Sequence, residues 1–160
     1  MKKGLYICII AVAAMAACHK NKGPANAKSV QQNNSLDTNV FMNATINGGS
    51  WHTDSAWGNY VKYSGNDSTR KGLYVIANNT AGTGSSIHLN IANYVGPDTY
   101  LIDPPLNSAT YYTGSTQYSA TSGAIIITSD TGYALLGIFN FFKSGANIAV
   151  SNGSFNVAKP

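Results

Sequence analysis

Residues 40–57 read VFMNATINGGSWHTDSAW, and this stretch decides the fold class. Val40, Met42, Ala44 and Ile46 alternate with Phe41, Asn43 and Thr45, the period of two that marks a half-buried strand. Asn47-Gly48 follows, a pair that tolerates the positive φ angles of a type I′ hairpin turn. After the turn, Trp51, Thr53, Ser55 and Trp57 share one parity. That predicts a returning strand with both tryptophans on the same face.

The same pattern continues toward the C-terminus. Leu73 to Ala77 reads as a short strand ended by Asn78-Asn79-Thr80-Ala81-Gly82, and Ile87, Leu89 and Ile91 alternate with His88, Asn90 and Ala92. Gly96-Pro97 and Pro104-Pro105 bracket a looser segment. Tyr111-Tyr112 and Gln117-Tyr118 read as short edge strands. Ala124 to Thr128 is nearly continuous in apolar character and reads as buried. Tyr133 to Phe142 is the longest apolar run, with Gly137, Phe139 and Phe141 on one face. Ile148–Val150 and Phe155–Val157 read as a closing hairpin turned at Asn152-Gly153. The expectation is an all-β domain over residues 38–160: an antiparallel β-sandwich or partly open β-barrel of about nine or ten strands.

Composition agrees. All six acids are Asp, charged residues make up only 10% of the chain, and there are 16 Gly and 10 Tyr. Gly, Asn, Ser and Thr are poor helix formers. A hydrophobic fraction of 44% with 11% aromatics supplies enough apolar surface for a core, which excludes a disordered chain.

The N-terminus reads as an address. Met1-Lys2-Lys3 is basic, Leu5 to Ala14 is apolar, and Met15-Ala16-Ala17-Cys18 ends the run. Ten apolar residues are too few to span a bilayer as a helix, but they fit the core of a signal peptide. With Cys directly after two small residues, the stretch resembles a bacterial lipobox, with Met15 where Leu is usual. That resemblance implies a signal over residues 1–17, lipidation at Cys18 and anchorage through membrane lipid. Cys8 would leave with the signal, so no thiol would remain for a disulfide or a metal site. Residues 18–37, polar and without hydrophobic period, read as a flexible tether.

Removing the signal and tether also removes the basic charge. From Asp37 onward there are five bases (Lys62, Arg70, Lys71, Lys143, Lys159) and six Asp, a net charge of −1. A nucleic-acid partner needs a clustered basic face, and the domain has none in its sequence.

Three pieces carry a resemblance to a family. Ala44-Thr45-Ile46-Asn47-Gly48-Gly49-Ser50-Trp51 opens the domain, Gly137-Ile138-Phe139-Asn140-Phe141 lies late in it, and Ser151-Asn152-Gly153-Ser154-Phe155 closes it. Together they resemble small Bacteroidota lipoproteins that share a domain of unknown function, with Ser151 in place of that family's Thr. The resemblance covers most of residues 41–157. It implies the fold class and an outer-membrane, lipid-anchored location, and it brings no activity or site residues.

Candidate chemistry is sparse. His52 and Asp54 share a strand face and, with a distant His88, could bind a metal or work as an acid–base pair. No second carboxylate or histidine lies near them in sequence, which favours solvated outward side chains, and no metal or other cofactor is expected. Asp67, Asp98 and Asp130 fall at turn signals, where Asp bonds its own backbone. Gly-x-Ser-x-Gly, P-loop, EF-hand and dinucleotide motifs are missing, so the chain reads as a non-enzyme. Asp54-Ser55-Ala56 and Asp67-Ser68-Thr69 resemble O-glycosylation sites of exported Bacteroidota proteins.

The aromatics are the stronger lead. Trp51 reads as core, while Trp57, Tyr100, Tyr111 and Tyr112 are the candidate ligand-binding side chains, because exposed Trp and Tyr give flat amphipathic contact area. The expected function is a non-catalytic binding or adhesion module for a glycan or protein partner. The alternative is a structural envelope lipoprotein with no small ligand.

Overall fold

The structure, a computed structural model, describes residues 39–62, 71–80 and 84–159. The expected signal, Cys18, the tether and Asp67-Ser68-Thr69 lie outside the described residues. Asn47 and Gly48 take φ values of 48° and 85°, and the turn joins β1 (Phe41–Ile46) to β2 (Gly49–Thr53) as an antiparallel pair with Met42 opposite Thr53. The Asn47 side chain also accepts a hydrogen bond from the backbone of Ala149 at 2.8 Å, tying this turn to a distant strand.

Nine more strands follow: β3 (Ala56–Lys62), β4 (Lys71–Asn79), β5 (Ser85–Tyr94), β6 (Thr99–Leu101), β7 (Asn107–Thr113), β8 (Thr116–Ser119), β9 (Ser122–Asp130), β10 (Ala134–Lys143) and β11 (Ile148–Ala158). They form two antiparallel sheets packed as a sandwich. One has six strands in the order β2-β1-β11-β10-β9-β6, the other five in the order β3-β4-β5-β7-β8. The count of eleven differs from the expected nine or ten in three places: β6, three residues long, forms inside the Pro-bracketed segment by pairing with Ala124–Ile126, the expected Trp51–Trp57 strand divides into β2 and β3, and the expected closing pair merges into β11. None of the described residues forms a helix long and apolar enough to cross a membrane.

The core lies between the sheets. Leu73, Val75 and Ala77 of β4 and Ile87, Leu89 and Ile91 of β5 face Met42, Ile125, Leu135, Phe139, Phe141, Phe155 and Val157 of the other sheet, all at most 3% exposed. Gly137, Phe139 and Phe141 point inward with Phe155 and Val157, as their spacing predicts.

Three expectations are corrected. First, Trp51 and Trp57 do not share a face. The chain bends at Asp54–Ser55 and passes from one sheet to the other, which resets the parity: Trp51 points into the core, while in β3 the inward set is Ala56, Gly58 and Tyr60, and Trp57 points out. Trp51 donates its indole N–H to Ser85 Oγ of the opposite sheet at 2.8 Å, so its one polar atom is satisfied.

Second, no closing hairpin forms at Asn152-Gly153, because Ile148–Ala158 is one strand. The pair instead makes a β-bulge. Three residues of β1 (Thr45 to Asn43) span four of β11 (Ser151 to Ser154), and Phe141 to Phe139 of β10 span Val150 to Gly153. Asn152 takes φ 50°, and a Cβ on Gly153 would lie 2.5 Å from the Phe139 carbonyl oxygen. The positive φ and the missing side chain that suit a hairpin turn also suit a bulge against a buried phenylalanine.

Third, Ala124–Thr128 is not continuously buried. Ile125 and Ile127 enter the core while Thr128 is exposed.

Candidate functional site

The outer face of the five-stranded sheet gathers four of the rings that lie outside the core, Trp57, Tyr74, His88 and Tyr112. In β4, Leu73, Val75 and Ala77 point inward, so Tyr74, Ile76 and Asn78 must point outward. By the same alternation β3 presents Trp57, Asn59 and Val61, β5 presents Ser86, His88, Asn90 and Ala92, and β7 presents Ser108, Thr110 and Tyr112. Strand register lines these positions up. Trp57 lies opposite Ile76, Ile76 opposite His88, His88 opposite Thr110, and Thr110 opposite Ser119. One register step to one side, Asn59, Tyr74, Asn90 and Ser108 form a parallel row; one step to the other, Asn78, Ser86, Tyr112 and Gln117 do the same.

Each of four successive strands therefore offers one ring: Trp57, Tyr74, His88 and Tyr112. Trp57 is 46% exposed and Tyr74 36%; His88 and Tyr112 are half-buried, with ring centroids 4.6 Å apart. Burial lowers the His88 pKa below the ordinary histidine value, so this ring is neutral near pH 7. Ser86 Oγ lies 3.2 Å from its Nε2. No Lys, Arg, Asp or Glu stands at the outward positions named on this face.

Of the candidate ligand-binding residues, the structure brings Trp57 and Tyr112 onto this face and removes the other two. Tyr100 is 8% exposed and Tyr111 9%, correcting the expectation that they line a surface. The Tyr100 ring packs on Tyr94, and its hydroxyl donates to the Gly96 carbonyl at 2.7 Å and accepts from the Val95 N–H at 3.2 Å. Tyr111 sits on the inward parity of β7 and stacks on Tyr118. Sequence reading missed Tyr74 as a face residue, although the parity of Leu73, Val75 and Ala77 already assigns it outward.

His52 and Asp54 do meet. His52 Nε2 lies 2.9 Å from Asp54 Oδ1, and Nδ1 lies 2.5 Å from Asn43 Oδ1. They line an open depression of about 420 Å³ with Thr53, Ser55, Asn79 and Thr80. Both ring nitrogens are engaged, which leaves neither free to activate a nucleophile. His88 belongs to the face of the other sheet and takes no part here. Among the described residues no group of three His, Cys, Asp or Glu comes together.

A second polar cluster is internal. Asp130, which sequence reading placed at a turn, ends β9 with its carboxylate turned inward. Tyr94 donates to Oδ2 at 2.6 Å and Tyr60 at 3.2 Å, while the Lys159 ammonium pairs with Oδ1. Thr131 takes over the turn, its hydroxyl bonding Ala134. Asp98 does behave as a turn residue, accepting from the Thr99 N–H at 2.7 Å. Burial raises the pKa of both Tyr60 and Tyr94 above the usual phenol value.

No protein-family model, curated protein or solved structure matches this chain.

Proposed function

We propose that the chain is a non-catalytic binding module of the cell envelope, held to the outer membrane by lipid at Cys18, that takes a glycan on the outer face of its five-stranded sheet. The observation that carries this reading is the stripe of Trp57, Tyr74, His88 and Tyr112, one ring per strand, set among Asn59, Asn78, Asn90 and Ser86. Ring faces suit the apolar faces of sugars, and amide side chains offer two donors and an acceptor to sugar hydroxyls. The engagement of both His52 nitrogens supports a non-catalytic role.

A second reading, a structural envelope lipoprotein with no small ligand, is favoured by the opposite outer face. There Leu101, Leu136, Ile138 and Phe142 are exposed, with Ile138 opposite Ile126 in register. Such a surface fits contact with another macromolecule. A glycan array probed with the full chain separates the two. Binding that falls at least tenfold in Trp57→Ala and is unchanged in Ile138→Ser supports the first reading. Glycan binding indifferent to Trp57, or none at all, refutes it.

A further inference from the structure

Resting on that reading of the face, we infer that its ligand is an uncharged polysaccharide that runs across the strands. The direction follows from how the rings are dealt out. Each strand from β3 through β4 and β5 to β7 contributes a single ring. A chain lying along one strand would meet one ring; a chain crossing them meets four. Neighbouring strands are about 4.8 Å apart, so the three steps from Trp57 to Tyr112 cover roughly 14 Å. Tyr74 and Tyr112 are displaced by one register step to opposite sides of the Trp57–His88 row, so the stripe is bent: it steps aside at Tyr74 and returns through His88 to Tyr112, and a chain several sugars long would have to follow that path.

The charge of the ligand follows from what lines the stripe. Among the described side chains, the outward positions of the five strands hold no cation that could pair with a carboxylate or sulfate and no Asp that could pair with an amine. His88 is held neutral, as described above. A charged glycan would surrender its hydration here without a counter-charge. Hydroxyl groups would meet Asn59, Asn78, Asn90 and Gln117. Asn90 stands opposite Tyr74 in register, so its side chain borders the stripe.

Affinity electrophoresis of the full chain tests this, with gels containing neutral polysaccharides (starch, mannan, xyloglucan, β-1,3-glucan) or charged ones (polygalacturonate, heparin). At least one neutral polysaccharide should retard the protein. Retardation should weaken at least tenfold in both Trp57→Ala and Tyr112→Ala. Trp57→Phe should retain part of it, and Trp57→Ala, whose side chain is 46% exposed, should still unfold in a single cooperative transition. Oligosaccharides of the bound type should gain affinity with each added unit until they span the stripe.

Three outcomes would overturn the inference. A charged polysaccharide bound in a Trp57-dependent way would refute the uncharged ligand and leave the binding face standing. Saturation of the site by a monosaccharide would refute the crossing chain. Neutral binding untouched by both variants would refute the inference and the face together.

Discussion

Asp130 and Asp54 each meet a basic partner, and their surroundings give the two pairs different work. The Asp130 and Lys159 side chains are 15% and 16% exposed; Asp54 and His52 are 78% and 56% exposed. The phenols that donate to Asp130 come from β3 and β5 of one sheet, while Asp130 ends β9 of the other and Lys159 follows β11. One carboxylate thus ties both sheets and the end of the last strand together. The Lys159 ammonium also lies 5.3 Å from the centre of the Tyr60 ring. The Asp54–His52 pair lies in solvent beside an open depression, where water screens most of its attraction. The two pairs share their chemistry and differ in burial, and burial decides which of them holds the fold together.

Breaking the internal pair should have the largest effect. Asp130→Asn keeps the shape but leaves the Lys159 ammonium buried without its counter-ion, and should lower unfolding free energy by about 3 kcal/mol. Chemical denaturation at neutral pH measures it. A loss below about 1 kcal/mol would mean the pair is as weakly coupled as a surface one.

Tyr94→Phe comes next, because it removes a hydrogen bond to a charged acceptor, with an expected loss of about 2 kcal/mol. It also carries a pH signature. Burial first, then the neighbouring Tyr60 and Tyr100, raise the Tyr94 pKa above the unfolded phenol value of 10.0. The stabilisation is therefore fully present below pH 10 and is lost as pH rises toward the folded-state value. Denaturation curves from pH 8 to pH 11.5 should fall steeply for the parent above pH 10 and less steeply for Tyr94→Phe. Parallel curves would break the link between this phenol and alkaline unfolding.

His52→Ala should have the smallest effect, within about 0.5 kcal/mol. A larger loss would show that the Asn43–His52–Asp54 contacts hold the bend between β2 and β3, and would erase the contrast with Asp130.

The sequence by itself determined a good deal. Alternation in residues 40–46 and 87–91, the Asn47-Gly48 turn and the inward parity of Gly137, Phe139, Phe141, Phe155 and Val157 are local properties, because a strand sends successive side chains to opposite faces whatever it packs against. They suffice for an all-β fold and for most of its core. Tertiary structure decided the rest. The corner at Asp54–Ser55 changes sheets, and only that change separates a buried Trp51 from an exposed Trp57. Asn152-Gly153 suits a turn or a bulge equally, and the long pairings of β11 with both β1 and β10 chose the bulge. Asp130 looked like a turn residue because its partners, Tyr60, Tyr94 and Lys159, lie 70, 36 and 29 positions away. The candidate face was half legible. Trp57 and Tyr112 could be named, but their alignment with Tyr74 and His88 depends on strand order and register, which local alternation does not encode.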